Sequence, residues 1–249
     1  MPEKGAEVRS FLCAALVCLS VLSCAPRPGV DQLVDSAQAK CRRGLFDEAR
    51  QEINTALDRC EAMSREERRT CRRMLLTLAG DLEIEAHKLN LSRPGQRHPN
   101  SEPLYGMALS IRDRLQNPTH PSKTAALVNL AAGAMDRRDY ASAEPFLKRL
   151  IAVREKQGVP KDVELNFARG QLGVLCEQQG RFAEAEKLYK QVLAWHDLPP
   201  PSPPSAHAAV LYHVARFYRS VGKGKEATEL GQKADRLMAA EKAAKTGRH

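Results

Sequence analysis

Apolar side chains recur at helical spacing along most of the chain. Leu127, Leu130, Ala131 and Ala134 lie three, one and three residues apart, and a second run begins at Ala143. The second run comprises Ala143, Phe146, Leu147, Leu150 and Ile151. Such intervals place side chains on one face of an α-helix. The pattern predicts two amphipathic helices joined by a turn, which is a helical hairpin.

The hairpin pattern recurs at a fixed interval of 42 residues. Leu130-Ala131 with 138–144 reappears as Leu172-Gly173 with 180–186, and again as Val214-Ala215 with 222–227. Upstream, residues 44–49 repeat the turn, and Ala37 and Ala79 are also 42 residues apart. The step from Ala79 to Ala131 is 52 residues, so we expect a longer loop around residues 90–100. An interval of this length is typical of repeat arrays.

Small residues stand at matching places in both helices of the unit. In the first helix they are Ala37, Ala79, Ala131, Gly173 and Ala215, and in the second Ala49, Ala143, Ala185 and Ala227. With an aromatic residue beside the turn at Phe46, Tyr140 and Phe182, this pattern resembles the tetratricopeptide repeat. The Ala-Glu-x-Leu-Tyr run at 185–189 and the 42-residue interval resemble the kinesin-light-chain type. The low aromatic content of 5% suits such an array, whose hairpins bury themselves against their neighbours.

The resemblance implies an all-α fold, a right-handed superhelical solenoid of about five hairpins within residues 31–238. We place the hairpins at about 31–60, 64–116, 122–157, 162–197 and 206–238. The basic residues after 238 have no apolar partners in the pattern, and we expect a disordered tail over residues 239–249.

The first residues predict where in the cell the protein is located. Residues 11–22 are apolar and uncharged, but a spanning helix needs about 20 such residues. We interpret residues 1–23 as a secretory signal. Val21-Leu22-Ser23-Cys24 resembles the lipobox of bacterial lipoproteins, which implies acylation of Cys24 and a short tether over 24–30. The expected location is the bacterial envelope, lipid-anchored and facing the periplasm, with the outer membrane preferred. The alternative is an ordinary cleavable signal in which Cys24 is incidental.

Four cysteines besides Cys24 remain after such a signal: Cys41, Cys60, Cys71 and Cys176. In an oxidising compartment a disulfide is expected among the first three. We favour Cys60 with Cys71, because they flank a short connection where Ser64 and Glu67 form a capping box. Spacing alone leaves the other pairings open.

The chain lacks the motifs of known catalytic and metal sites. It has no HExxH, CxxC, GxSxG or GxGxxG, and its seven histidines are scattered. We therefore predict no enzyme activity, no cofactor and no metal. The formal charge is +9, all of it within residues 91–249, but the basic residues alternate with acids. That pattern does not favour nucleic acid as a partner.

Family resemblance implies a concave groove lined by the first helices of the hairpins, which holds a peptide or a partner helix. The expected groove residues are Val128, Ala132, Met135, Val174, Glu177, Tyr212, Arg216 and Arg219. This groove would be apolar in the middle and cationic at its C-terminal end, which suits an acidic protein partner. The predicted function is an envelope interaction adaptor, for example in assembly of outer-membrane, secretion or pilus complexes. Two alternatives stay open: binding of an anionic envelope lipid or glycan, and a non-catalytic subunit of an envelope enzyme.

Overall fold

A computed structural model describes residues 28–92, 97–199 and 202–246. This part of the chain is helical apart from turns and short connections, and it contains no strand. The helices are α1 (Val30–Arg42), α2 (Phe46–Ala62), α3 (Arg65–Leu91), α4 (Ser101–Leu115), α5 (Thr124–Asp136), α6 (Tyr140–Gln157), α7 (Val163–Gln178), α8 (Phe182–Asp197), α9 (Pro204–Ser220) and α10 (Gly224–Thr246). A 3₁₀ turn at Pro121–Lys123 precedes α5. The predicted all-α class is confirmed.

The helix ends follow from local side-chain chemistry. Asp139 and Asp162 cap α6 and α7, and their carboxylates accept hydrogen bonds from the backbone N–H of Ser142 and Leu165. A capping carboxylate satisfies a backbone donor that has no partner inside the helix. Pro204 begins α9 at the first helical position, where a missing N–H costs nothing. These residues set the beginnings of α6, α7 and α9.

The turns inside four of the hairpins, α1–α2, α5–α6, α7–α8 and α9–α10, use the same backbone conformation. Gly44, Gly180 and Gly222 have φ values of 76°, 74° and 80°. Arg138 stands at the equivalent place in the third hairpin with φ 58°, although its side chain disfavours that region. The turn therefore requires a positive φ at this position whichever residue occupies it, and glycine adopts that conformation most easily.

The described residues 28–74 form one compact unit, and those from Leu75 to Thr246 form a second. In the first unit, α1 packs on α2 around buried residues that include Leu33, Ala37, Ala49 and Ile53. In the second, the hairpins α5–α6, α7–α8 and α9–α10 each pack as a pair, and α6 packs on α7. The small residues that set the repeat are buried in every one of these pairs.

A ladder of ion pairs joins successive hairpins of the second unit. Glu102, Glu144 and Glu186 lie 42 residues apart, and each binds a cation at the turn of the next hairpin. The cations are Arg137, Arg181 and Lys223. The two later glutamates are four-fifths buried. Hydrogen bonds lower the pKa of both, mainly from Lys148 and then Arg181 for Glu144, and mainly from Lys223 for Glu186. The ladder fixes the register of one hairpin against the next.

The prediction for the C-terminal residues needs correction. Helix α10 continues to Thr246, so the expected disordered tail is wrong for residues 239–246. Lys245 pairs with Glu241 one turn back, and alanines with high helix propensity fill the intervening positions. Residues 247–249 lie outside the described part.

Cys60 and Cys71 are free thiols in the structure, so the predicted disulfide is not formed there. The two side chains lie side by side and buried, and burial together with the hydrogen bond to Cys60 raises the pKa of Cys71 to about 12. Cys41 and Cys176 are also buried free thiols. The predicted signal over residues 1–23 and Cys24 itself lie outside the described residues. Among the described helices, none is long and apolar enough to cross a membrane.

Candidate binding cleft

A cleft of about 290 Å³ opens between α7 and α9. Its floor is formed by Tyr189 and Val192 of α8. Its walls are Gly170, Gln171 and Val174 on one side and Ala209, Val210, His213 and Val214 on the other. Most of these side chains are apolar, and the two walls are first helices of adjacent hairpins. An apolar cleft with a few polar groups is the usual form of a binding site.

A chain of hydrogen bonds passes through two residues of this cleft, Tyr189 and His213. The Tyr189 hydroxyl donates to Glu177 Oε2 over 2.6 Å, and His213 Nε2 lies 3.0 Å from the same hydroxyl. Since the hydroxyl proton points to Glu177, the imidazole Nε2–H is the donor to the Tyr189 oxygen. Nδ1 of His213 then accepts from Arg216 over 3.3 Å. The bonds run in one direction, from the Arg216 cation to the Glu177 carboxylate.

Burial makes this network sensitive to charge. Desolvation lowers the pKa of His213, although Glu177 opposes the shift. Desolvation, followed by the hydrogen bond to Glu177, raises the pKa of Tyr189. The neutral imidazole and neutral phenol are therefore the forms that suit the folded state. The Arg216 guanidinium, bonded to His213, places a positive charge next to this mostly apolar cleft.

The structure brings together only some of the residues expected in a groove. Val174 lines the cleft, and Glu177 accepts the hydrogen bond from Tyr189, which also lines it. Arg216 reaches the cleft through His213. Tyr212 does not: its hydroxyl donates to Asp235 of α10 over 2.7 Å, and its ring is 44% exposed. Helix α9 presents the face of Ala209, Val210 and His213 to α7, so Tyr212 lies outside the cleft.

The remaining expected groove residues stay predictions. Arg219 is exposed near the end of α9. Val128, Ala132 and Met135 are half-buried on α5. A shift of 42 residues carries Val128 and Ala132 onto Gly170 and Val174, which do line the cleft.

Sequence reasoning missed the two polar groups that matter most here, Tyr189 and His213. The sequence identified Tyr189 only as part of the Ala-Glu-x-Leu-Tyr motif. His213 was counted as one of seven scattered histidines. His213 lies 42 residues after Gln171, and both line the cleft. That shared register position was the available signal.

The close approach of α7 and α8 depends on Gly173. A Cβ placed there would lie 2.7 Å from Cε1 of Tyr189, whose ring is buried. A Cβ at Gly170, one turn earlier in α7, would meet only Val192 at 4.0 Å. The glycine at 173 is therefore required by packing and the one at 170 is not.

Gly173→Ala is expected to destabilise the protein by about 1 to 2 kcal/mol, because overpacking outweighs the gain in helix propensity. Gly170→Ala is the matched control and should stabilise by up to about 1 kcal/mol. Urea unfolding followed by far-ultraviolet circular dichroism measures both. Equal shifts of the same sign would show that Tyr189 does not constrain position 173.

The described residues contain no group of three or more His, Cys, Asp or Glu side chains suited to hold a metal ion. Cys176, the thiol closest to the cleft network in sequence, is buried, and desolvation raises its pKa. A raised pKa reduces the thiolate fraction and makes such a cysteine unreactive. The arrangement at the cleft can bind a ligand, and we identify no reacting group in it.

Comparison with known proteins gives a consistent result. Residues 123–195, which include one wall and the floor of the cleft, match the model of the tetratricopeptide repeat family. Two solved structures resemble the fold. One is a single-residue variant of a Podosopora anserina putative kinesin light chain with nearly identical TPR-like repeats, at 18% identity and a TM-score of 0.50, covering 86% of this chain and 96% of that chain. The other is BtubC (BKLC) from P. vanneervenii, at 16% identity and a TM-score of 0.52, covering 95% of this chain and 87% of that chain. No curated protein matches the sequence.

Proposed function

We propose that the chain is a tetratricopeptide repeat protein that acts as a protein-interaction adaptor and binds a partner segment in the cleft between α7 and α9. The support is the match of residues 123–195 to that family's model and the similarity of the fold to TPR-like repeat structures. Repeats of this kind typically act as scaffolds, since stacked hairpins create concave surfaces for partners. The observation that carries the proposal is the cleft itself, a mostly apolar volume of about 290 Å³ whose His213 is bonded to Arg216.

The chemistry of the cleft defines the partner. Val174 and Val210 accept apolar side chains, which a helix or an extended peptide presents at regular spacing. Arg216 is exposed and donates one weak hydrogen bond to a neutral imidazole. Its remaining N–H groups suit a carboxylate of the partner. The proposed ligand is a segment with an apolar anchor next to an acidic residue.

The adaptor is proposed to work at a bacterial envelope, anchored through acylated Cys24 and facing the periplasm. The support is the sequence of residues 11–24, a short apolar run followed by a lipobox-like tetrapeptide. In this setting the adaptor would hold its partner near the membrane. Participation in assembly of an outer-membrane, secretion or pilus complex is a more specific form of the same proposal.

Val174→Asp should reduce partner binding about tenfold, because the new carboxylate loses hydration in the apolar cleft when a ligand covers it. Affinity capture from cells, with the retained partner identified and then titrated, measures the effect. Ala194→Asp is the matched control, since Ala194 is exposed on α8 outside the cleft. If both variants bind the partner as the parent does, the cleft is not the site.

Cys24→Ser should abolish incorporation of radioactive palmitate and shift the protein from the membrane to the soluble fraction. Two or more acyl chains hold a protein firmly, so their loss has a large effect on fractionation. Unchanged labelling and fractionation would refute the lipid anchor. That result would leave the cleft proposal intact.

A further inference from the structure

A second cleft, of about 580 Å³, lies where α4 and α5 meet, and we call it the α4–α5 cleft. Its lining includes Tyr105 of α4, Asn129 and Asp136 of α5 and residues 97–99 of the loop before α4. Small-molecule sites in proteins occupy about 300–1,000 Å³, so the volume suits a small ligand. The α4–α5 cleft shares no residue with the cleft between α7 and α9.

Two polar residues of the α4–α5 cleft stand at the repeat positions of Tyr189 and His213. Tyr105 precedes Tyr189 by 84 residues, which is two repeat intervals, and Asn129 precedes His213 by the same number. In the later hairpins the Tyr189 hydroxyl donates to the Glu177 carboxylate and accepts from His213. The repeat therefore places a tyrosine hydroxyl where it can bond to a carboxylate.

The Tyr105 hydroxyl lacks such partners. Its side chain is 2% exposed, and no residue in the described part of the chain bonds to the hydroxyl. Asn129 does not replace His213 here, because its amide bonds to the Ala125 carbonyl and to Arg97. Burial, followed by Glu83, raises the pKa of Tyr105, although Arg97 opposes the shift, so the hydroxyl keeps its proton. A buried donor without an acceptor is unfavourable, and a molecule in the cleft can supply the acceptor.

The loop before α4 brings two further donors to the cleft. Arg97 donates through Nε to Asp136 over 2.9 Å and through Nη1 to Asn129 over 3.0 Å. Its Nη2 group makes no hydrogen bond to any described residue. His98 Nδ1 accepts from the backbone N–H of Asn100 over 3.2 Å, so the neutral imidazole carries its proton on Nε2. With the tyrosine hydroxyl, these groups give the cleft three hydrogen-bond donors.

The carboxylates beside the cleft are already engaged by cations. Glu102 accepts from Arg137 through both of its oxygens, and Asp136 accepts from Arg97. Helix α4 also begins at Ser101, in the lining of the cleft, and the N-terminus of a helix favours an anion. The capacity that remains in the cleft is therefore mainly for a negatively charged acceptor.

We propose that the α4–α5 cleft binds a small organic acid, whose carboxylate accepts hydrogen bonds from the Tyr105 hydroxyl and from Arg97. A carboxylate has lone pairs for several donors, and its bond to a guanidinium is strengthened by charge. The arrangement repeats the bond between Tyr189 and Glu177, with the ligand in the place of the glutamate. This site is additional to the partner cleft, and neither proposal depends on the other.

The test is saturation-transfer NMR of the full chain, titrated with glutarate, benzoate and N-acetylalanine. Each acid is compared with its amide, which has nearly the same shape and no negative charge. At least one acid should bind with a Kd of about 1 mM or lower, and its amide should bind about tenfold more weakly.

Two variants identify the groups that bind the acid. Tyr105→Phe and Arg97→Gln should each weaken binding of that acid about tenfold, because each removes a donor to the carboxylate. The matched controls are Tyr212→Phe, on the far side of α9 where its hydroxyl bonds to α10, and Arg236→Gln, at an exposed position of α10. Both controls should bind the acid as the parent does.

A measurement of stability separates binding from folding. Tyr105→Phe should leave the melting temperature unchanged, because the hydroxyl has no partner in the unliganded protein. The proposal would be overturned if none of the three acids binds, if acids and amides bind equally, or if the two cleft variants bind as the parent does. An acetylated pentapeptide that ends in alanine is the last probe. Binding of this peptide at least about tenfold tighter than that of N-acetylalanine would overturn the assignment to a small molecule.

Discussion

Phe217→Ala is expected to lower the free energy of unfolding by about 4 kcal/mol. The Phe217 ring is 1% exposed, and its centroid lies 5.0 Å from that of Tyr189 in an edge-to-face arrangement. It also lies 6.3 Å from the ring of Phe182 and 5.7 Å from that of Tyr218. These contacts join the last two hairpins, so the substitution leaves a cavity at their junction.

Phe182→Ala is the matched control for this prediction. Phe182 belongs to the same aromatic cluster, but its side chain is 48% exposed. We expect a loss of about 1 kcal/mol, because the truncation removes less buried area. Urea unfolding is followed by circular dichroism and by fluorescence of Trp195, the single tryptophan, which lies at the end of α8. Equal losses for the two variants would contradict the view that Phe217 is the main contact between these hairpins.

Acidification is expected to weaken the same junction. The rings of His196 and His207 are stacked, with centroids 5.1 Å apart, and both side chains are about 94% buried. Lys161 and Lys233 lie near the pair, and Asp197 partly compensates for them. Desolvation is the largest cause that lowers the pKa of each histidine. The pKa of His213, beside Glu177 and Arg216, is shifted in the same direction.

A lowered pKa means that the unfolded chain binds protons which the folded chain excludes. The stability contributed by the neutral imidazoles is fully present above the ordinary histidine value of 6.5 and is lost as the pH falls below it. Each histidine adds a slope of at most about 1.4 kcal/mol per pH unit. Unfolding midpoints measured at several pH values between about 7.5 and about 5 give the slope.

Variants separate the buried pair from other titrating groups. His196→Gln with His207→Gln should flatten the dependence of stability on pH in that range, whatever its effect on stability at neutral pH. His87→Gln is the control, because His87 is exposed on α3. An unchanged slope in the double variant would mean that the stacked histidines do not titrate during acid unfolding.

The repeat interval was sufficient to predict the fold, and particular residues show why. The 42-residue register aligned Glu144 with Glu186, and the structure pairs both with cations of the following hairpin. It aligned Arg138 with Gly180 and Gly222, and all three have positive φ. Side chains that form the turns and the contacts between hairpins recur every 42 residues, so the spacing identifies their positions.

The candidate cleft is harder to predict from the sequence than the fold, because it depends on helix orientation. Tyr212 and His213 are adjacent in sequence, yet one bonds to α10 and the other to the cleft network. A rotation of about 100° separates neighbouring residues on a helix, so the two side chains meet different helices. Spacing could not supply the direction in which α9 meets α7.

The central claim is that a partner segment lies in the cleft between α7 and α9. Site-specific photo-cross-linking in living cells tests it most directly, with the reactive side chain placed at Val174, at Val210 or at exposed Ala194. We expect the same partner to be captured from Val174 and from Val210 but not from Ala194. Capture of that partner with equal yield from Ala194, or from neither cleft position, would contradict the claim.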